Sequence, residues 1–280
     1  MGKVGAAASS RMERMASQYA SGNAEVYEQL MGRWSRRLAV LFLDFAPPPR
    51  IAEDILDVGC GTGSLTFALA SAAPNANVLG IDASSAFVAH ARKGAADPRI
   101  AFEVADATAL PYPDRTFSAA FSLLVLNFIP EFEKAAREMV RVTKPGGVVA
   151  ASVWDFAGGL TQLRVFLDTA AALDPDAVAV RAKLFSGPLT AAGELATLWT
   201  ALGLRDVIQA SLTIRMDFRS FADYWEPWLG GQGSVGPYVA GLAPDKRAAI
   251  ERQLRLAYLV GRNDGPRSFA ATAWAVKGIR

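Results

Sequence analysis

Three glycines spaced two residues apart, Gly59, Gly61 and Gly63, close an apolar run (ILDVGCGTG, 55 to 63) and lead into a helical pattern. A chain that turns sharply and lets a ligand approach its backbone needs residues without a Cβ at such positions. A dinucleotide loop would place its third glycine one residue later. The helix that follows presents free N–H groups at its N-terminus, which suit a carboxylate as well as a phosphate. Asp82 ends the next apolar run (NVLGID) roughly 20 residues on, where an acid accepts hydrogen bonds from both hydroxyls of a ribose. Asp106 ends the third run (FEVAD). Two acids at the carboxyl ends of successive strands beside a glycine loop make a cleft for a nucleoside whose other end is charged. A diphosphate would gain nothing from the second acid.

Other residues with chemical potential carry plainer readings. Asp57 either satisfies backbone amides in the loop or meets the ligand. Cys60 reads as a small loop residue, since the sequence places no base or cation beside it. His90 falls along the helix after Asp82, away from the strand end, and the run Arg33, Arg36, Arg37 reads as a solvated helix face. The aromatic set Trp225, Trp228 and Tyr238 reads either as the core of a lid or as a substrate cage.

The elements that would hold these residues follow from periodicity. Tyr27, Leu30, Met31, Trp34, Leu38, Leu41 and Phe42 recur at helical spacing between about residues 25 and 45, and Pro47 to Pro49 end that helix. Short apolar runs then alternate with helical patterns: 55–59, 78–82, 100–105, 117–126 and 147–154. This alternation predicts βαβ units and a parallel sheet covered on both faces, an α/β fold. After Trp154 the pattern loosens. Residues 160–190 read as helix plus loop, 195–202 as a helix closed by Gly203, 206–218 as a strand, 221–241 only as an aromatic and glycine-rich segment, 245–260 as a helix and 268–277 as a last strand.

Composition bounds the function. The 280 residues carry a net charge of +2 from 29 basic and 27 acidic side chains spread along the chain, which gives no electrostatic footprint for nucleic acid. The longest apolar stretch, 119–130, falls short of the ~20 residues of a membrane span. The N-terminus lacks the apolar core of a secretory signal, and Ala6 disfavours myristoylation. One cysteine and one histidine leave too few ligands for a structural zinc site, so no metal is expected. A reducing, cytoplasmic compartment fits; the oligomeric state is not legible.

Motif by motif, LDVGCGTG (56–63), GIDAS (80–84), VADATALPYPDRTFSAAFS (104–122), LNFIPE (126–131) and MVRVTKPGGVVAASVWD (139–155), the chain resembles the class I S-adenosylmethionine-dependent methyltransferases. The likeness is to their small-molecule group, which includes the ubiquinone and menaquinone methyltransferases (methyltransferase type 11-like). It implies a Rossmann-like, seven-stranded, mostly parallel doubly wound sheet with its last strand antiparallel and helical additions at the carboxyl edge. It also implies three segments: a helical cap (1–49), the cofactor-binding core (50–155), and a completion of the sheet with inserted lid helices (156–280). By the resemblance, Asp57 and the backbone of Gly59, Cys60, Gly61 and Gly63 would hold the methionine end of S-adenosyl-L-methionine. Asp82 would take the ribose, Asp106 and the Ala107 amide the adenine edge, and Ala83 would line the adenine pocket. Leu124 and Asn127 would lie beside the sulfonium. The N-terminal helix would close over the cofactor, with Tyr19, Tyr27, Arg33 and Trp34 as candidates there.

Methyl transfer from an activated sulfonium needs alignment above all, and a base only where the acceptor must lose a proton. The segments 156–190 and 219–262 are rich in Trp, Phe and Leu and predict a pocket for a small, partly apolar acceptor, with Tyr27, Trp34, Trp154, Trp225 and Trp228 as candidate substrate contacts. The sequence Asn127-Phe128-Ile129-Pro130 is not the Asn-Pro-Pro-Tyr pattern of amide-nitrogen methylation. A non-catalytic cofactor-binding protein and a nicotinamide oxidoreductase are the competing readings, the latter disfavoured by the glycine spacing and by Asp106.

Overall fold

Seven strands form one sheet in the order β3-β2-β1-β4-β5-β7-β6 in a computed structural model that describes residues 23–49, 53–231 and 233–280. Strands β1 (Asp54–Val58), β2 (Asn77–Asp82), β3 (Ile100–Val104), β4 (Phe117–Leu123) and β5 (Thr143–Trp154) pair in parallel. β6 (Arg205–Phe218) and β7 (Arg267–Ile279) are long, and β7 runs antiparallel to both of its neighbours, β5 and β6. Every residue of β4 is buried, as expected for a central strand covered on both faces. The order reverses between β1 and β4, which opens a crevice at the carboxyl ends of the parallel strands.

One face of the sheet is covered by the N-terminal helix and by α3 (Ser64–Ala72), the other by α5 (Phe132–Val142) and α8 (Glu194–Ala201). The N-terminal helix is continuous in three parts: α1 (Ala24–Tyr27), a π-helical turn (Glu28–Gly32) and α2 (Arg33–Phe45). In α2, Trp34, Leu38 and Phe42 fall one turn apart and are buried against the sheet. Its end at Phe45 is held by the Lys277 ammonium, which donates to the Phe45 carbonyl at 2.7 Å. Helix α4 (Ser85–Gly94) is capped by Ser84 and packs Val88 and Ala91 against Phe102 of β3.

Between β5 and β6 lie α6 (Thr161–Ala171) and α7 (Pro175–Phe185), so residues 160–190 hold two helices rather than one helix and a loop. The break falls at Asp174, whose carboxylate caps α7 while Pro175 takes the first position, where no amide donor is needed. The segment 221–241 is also helical, as α9 (Phe221–Leu229) and α10 (Gly236–Ala240), followed by α11 (Pro244–Leu259). Among the described residues no helix is long and apolar enough to cross a membrane. Tyr19 lies outside the described residues.

Candidate functional site

All three glycines of the loop after β1 have left-handed backbones, at φ +75° (Gly59), +54° (Gly61) and +94° (Gly63), which a Cβ would strain. The amides of Gly59 and Cys60 both donate to the Ile81 carbonyl at 2.8 Å, tying the loop to β2. A Cβ on Gly59 would stand 2.5 Å from Val125, whereas one on Gly61 would meet nothing within 4 Å. Gly59 is therefore required by packing, and the backbone at Gly61 faces open space.

That space is a cavity at the carboxyl ends of β1, β2 and β4. Asp57, Gly59, Cys60, Gly61, Asp82, Ala83, Asp106, Ala107 and Leu124 line it, together with Tyr27. Gly63 does not; it caps α3 behind the loop. Asn127 sits in the 3-10 turn Leu126–Phe128 after β4 and is not among the lining residues, and its buried Oδ1 has no hydrogen-bond partner among the described residues.

The three acids differ in their surroundings. Asp57 is buried, and its Oδ2 accepts a 2.6 Å bond from the Thr66 hydroxyl while Oδ1 has no partner. Burial pushes its carboxyl up to about 7; the Thr66 bond pulls the other way and the neighbouring Asp82 adds repulsion. Asp82 accepts from the Gly61 amide (2.9 Å) and the Ser84 amide (2.8 Å), one on each oxygen. Burial raises its carboxyl above the ordinary value, against the pull of those amides. Asp106 takes both the amide and the hydroxyl of Thr108 on Oδ1, each at 2.8 Å. The Cys60 thiol is held well above its usual range by burial, which leaves it an inert lining group.

A second cavity adjoins the first and shares Tyr27, Leu124 and Phe128 with it. Residues of α6 and α9, the chain at 233–235, and Trp154 at the end of β5 close it. Leu124, in the shared wall, has a left-handed backbone (φ +65°) fixed by its amide bond to the Ser152 carbonyl at 2.7 Å. Such a conformation costs a leucine about 1–2 kcal/mol and is stored where surrounding structure enforces it.

Of the aromatic candidates, Tyr27, Trp154 and Trp228 line this second cavity. Trp34 and Trp225 line neither. Trp34 packs on Phe218 (centroids 5.3 Å apart) under the Arg33 guanidinium, and Trp225 stacks on Phe221 and meets Phe166 at a tilt, so both serve the core. The arginine run is solvated at Arg36 and Arg37 yet also paired: Arg33 with Asp223 (2.9 Å) and Arg37 with Asp217 (2.6 Å) fasten the N-terminal helix to α9 and β6, while Arg36 pairs with Glu28 within that helix. Glu28 also accepts from the Thr62 hydroxyl, joining that helix to the glycine loop. Neither this bond nor that of Thr66 to Asp57 is signalled by local pattern, since Thr62 lies 34 residues from Glu28 and Thr66 nine residues from Asp57. His90 lines a separate outer cleft beside Glu28, Arg36 and Lys93. Among the described residues no group of three His, Cys, Asp or Glu could hold a metal ion.

A Rossmann-like sheet with a glycine loop and three acids at the switch point defines a nucleoside-binding α/β protein, and comparison with known proteins narrows the class. A family model described as a methyltransferase domain matches residues 55–147. The trans-aconitate 2-methyltransferase of Methylobacterium radiotolerans is 31% identical over 231 residues, covering 79% of this chain and 84% of that protein. The demethylmenaquinone methyltransferase of Thermus thermophilus is 39% identical over 117 residues, 41% of this chain; the chain spans about half (51%) of that relative. A phosphoethanolamine N-methyltransferase of Haemonchus contortus, solved with S-adenosyl-L-methionine, shares the fold with a TM-score of 0.57 at 16% identity, covering 94% of this chain and 58% of the other. The chain belongs to the class I S-adenosylmethionine-dependent methyltransferases.

Proposed function

We propose that the protein binds S-adenosyl-L-methionine in the first cavity and transfers its methyl group to a small, partly apolar acceptor in the second. The observation that carries this reading is the shared wall of Tyr27, Leu124 and Phe128 between an acid-lined chamber and one that no charged side chain lines among the described residues. The fit of the cofactor is supported by the buried, unpartnered Asp57 Oδ1, which would receive its methionine ammonium, and by the open space at Gly61, which leaves room for its methionine end. Asp82 would hold the ribose, Asp106 and the Ala107 amide the adenine edge, and Ala83 its ring. Gly63 would shape the loop from behind, and Leu124 would stand beside the sulfonium with Asn127 behind it. In this reading residues 1–49 form a cap, 50–155 the cofactor core and 156–280 the rest of the sheet with the lid.

The bound cofactor supplies a methyl carbon already activated for in-line displacement. The chain's part is to align the acceptor and exclude water. Tyr27, at the junction, is no base at neutral pH: burial pushes its phenol up to about 12. His90 lies in its own cleft. The acceptor therefore brings its own nucleophile, such as a carboxylate, an ionised phenol or an enolised carbon. A cytoplasmic enzyme with a small-molecule partner and no nucleic-acid substrate fits the chain's balanced charge.

Calorimetric titration tests this reading. S-adenosylmethionine and S-adenosylhomocysteine should each bind saturably. No response to either, with NAD binding in their place, would sink it.

A further inference from the structure

The second cavity holds a set of unsatisfied polar groups. The indole Nε1 atoms of Trp154 and Trp228 are both buried without a hydrogen-bond partner, and so is Oε1 of Gln162. All three residues line this cavity. Leaving a buried donor or acceptor unmade costs roughly 1–3 kcal/mol, and native proteins keep few such groups. Three in side chains that line one chamber suit a ligand with hydrogen-bonding groups of its own. The indoles can only donate, so they call for an acceptor oxygen. The Gln162 amide can present either end by rotating, so it accommodates a hydroxyl or a second oxygen.

The described side chains around the same chamber carry no charge. Among the described residues no Lys, Arg or His lines either cavity. Arg33, on the N-terminal helix, is committed to the Asp223 carboxylate through bonds of 2.9 and 3.2 Å. An ionised carboxylate moved into apolar surroundings without a cation costs several kcal/mol, and two neutral N–H donors do not offset three of them. The cofactor's single sulfonium could balance one negative charge at most.

We propose that the second cavity takes an apolar, neutral or singly ionised acceptor whose carbonyl, carboxyl or phenol oxygen accepts hydrogen bonds from the Trp154 and Trp228 indoles, and that it rejects polycarboxylates. This rests on the methyl-transfer reading above. It separates the chain from its trans-aconitate-named relatives at the acceptor while sharing their fold and family.

The test uses the full chain saturated with S-adenosylhomocysteine and the neutral enone 4-phenyl-3-buten-2-one as probe. Saturable probe binding is expected, weakened about three- to tenfold by Trp154→Phe and by Trp228→Phe. Phenylalanine keeps an aromatic ring, at 228 one that can still stack on Phe166 (5.1 Å), while removing the N–H along with some volume. Cofactor-product affinity, measured on the same variants, should hold and thereby exclude misfolding as the cause. With S-adenosylmethionine and trans-aconitate, no release of S-adenosylhomocysteine above background is expected. Methylation of trans-aconitate would overturn the proposal, as would failure of the probe to bind or binding indifferent to both substitutions. If S-adenosylhomocysteine itself does not bind, it is the methyl-transfer reading that fails.

Discussion

The Asp82 carboxylate accepts the Gly61 amide at 2.9 Å, so the acid at the end of β2 holds the loop at the end of β1 in place as well as facing the cavity. The second oxygen does the same for Ser84 at the start of the next helix.

Asp82→Ala should therefore act twice. Loss of two charge-assisted bonds to a ribose would cost roughly 2–4 kcal/mol, about 30- to 1000-fold in cofactor affinity. Amide exchange at Gly61 and Ser84 should also accelerate, since both lose their acceptor. Asp106→Ala should cost less, roughly 1–2 kcal/mol of binding. An Asp82→Ala protein that binds S-adenosylhomocysteine as tightly as the parent, by calorimetry, would refute the ribose assignment.

Asp57 gives the site a pH dependence. Its carboxyl titrates at about 7 in the folded chain, far above the ordinary value of 3.8, because it is buried. The folded state thus keeps a proton that the unfolded chain releases, and this contribution to ligand-free stability is full below about pH 4 and lost as pH rises through 7. An ammonium ligand has the opposite demand and selects the carboxylate. Affinity for S-adenosylhomocysteine should fall about tenfold from pH 8 to pH 6, and Asp57→Asn should bind weakly with no such slope. Titrations across that range decide it; a flat profile in the parent protein would mean that Asp57 does not meet the ammonium.

Gly59 and Gly61 share a left-handed backbone but differ in their neighbours. Gly59→Ala should destabilise the fold by about 2–3 kcal/mol, because conformational strain adds to a Cβ 2.5 Å from Val125, and Val125→Ala should recover part of that loss. Gly61→Ala should cost only the strain, about 1–2 kcal/mol, yet weaken cofactor binding by narrowing the cavity. Thermal melts and calorimetry on the three variants separate the two effects. Equal melting temperatures for Gly59→Ala and Gly61→Ala would contradict this division.

The half of the sheet that builds the nucleoside cleft was legible because strand, turn and helix signals there are local. Glycines mark the turn at 59–63, and the acids at 82 and 106 fall at strand ends that short apolar runs already define. The C-terminal half was less legible. Phe221, Trp225 and Trp228 do stand at helical spacing, but Pro227 and the glycines at 230, 231 and 233 obscure it, and α9 is recognisable only once its aromatic face is seen packed on Phe166 and Tyr258. Side-chain type could not separate Trp225, in the core, from Trp228, at the cavity, three residues on. The ties between Arg33 and Asp223, or Glu28 and Thr62, join residues 190 and 34 positions apart, a distance that no local pattern encodes.

The strand order carries a consequence for how the chain is made. β6 pairs only with β7, and β7 lies between β6 and β5. As the chain leaves the ribosome, β6 therefore emerges before the one strand that can dock it, and the outer edge of β5 stays open over the same interval. An unpaired strand beside an open edge is the arrangement that captures a wrong partner, whether a second nascent chain or the chain's own β6 laid directly on β5. The inserted helices α9 and α11, which follow β6 and precede β7, must close over apolar surface during that wait. The 13 residues of β7 thus act as a keystone: their insertion commits the C-terminal half to the native topology.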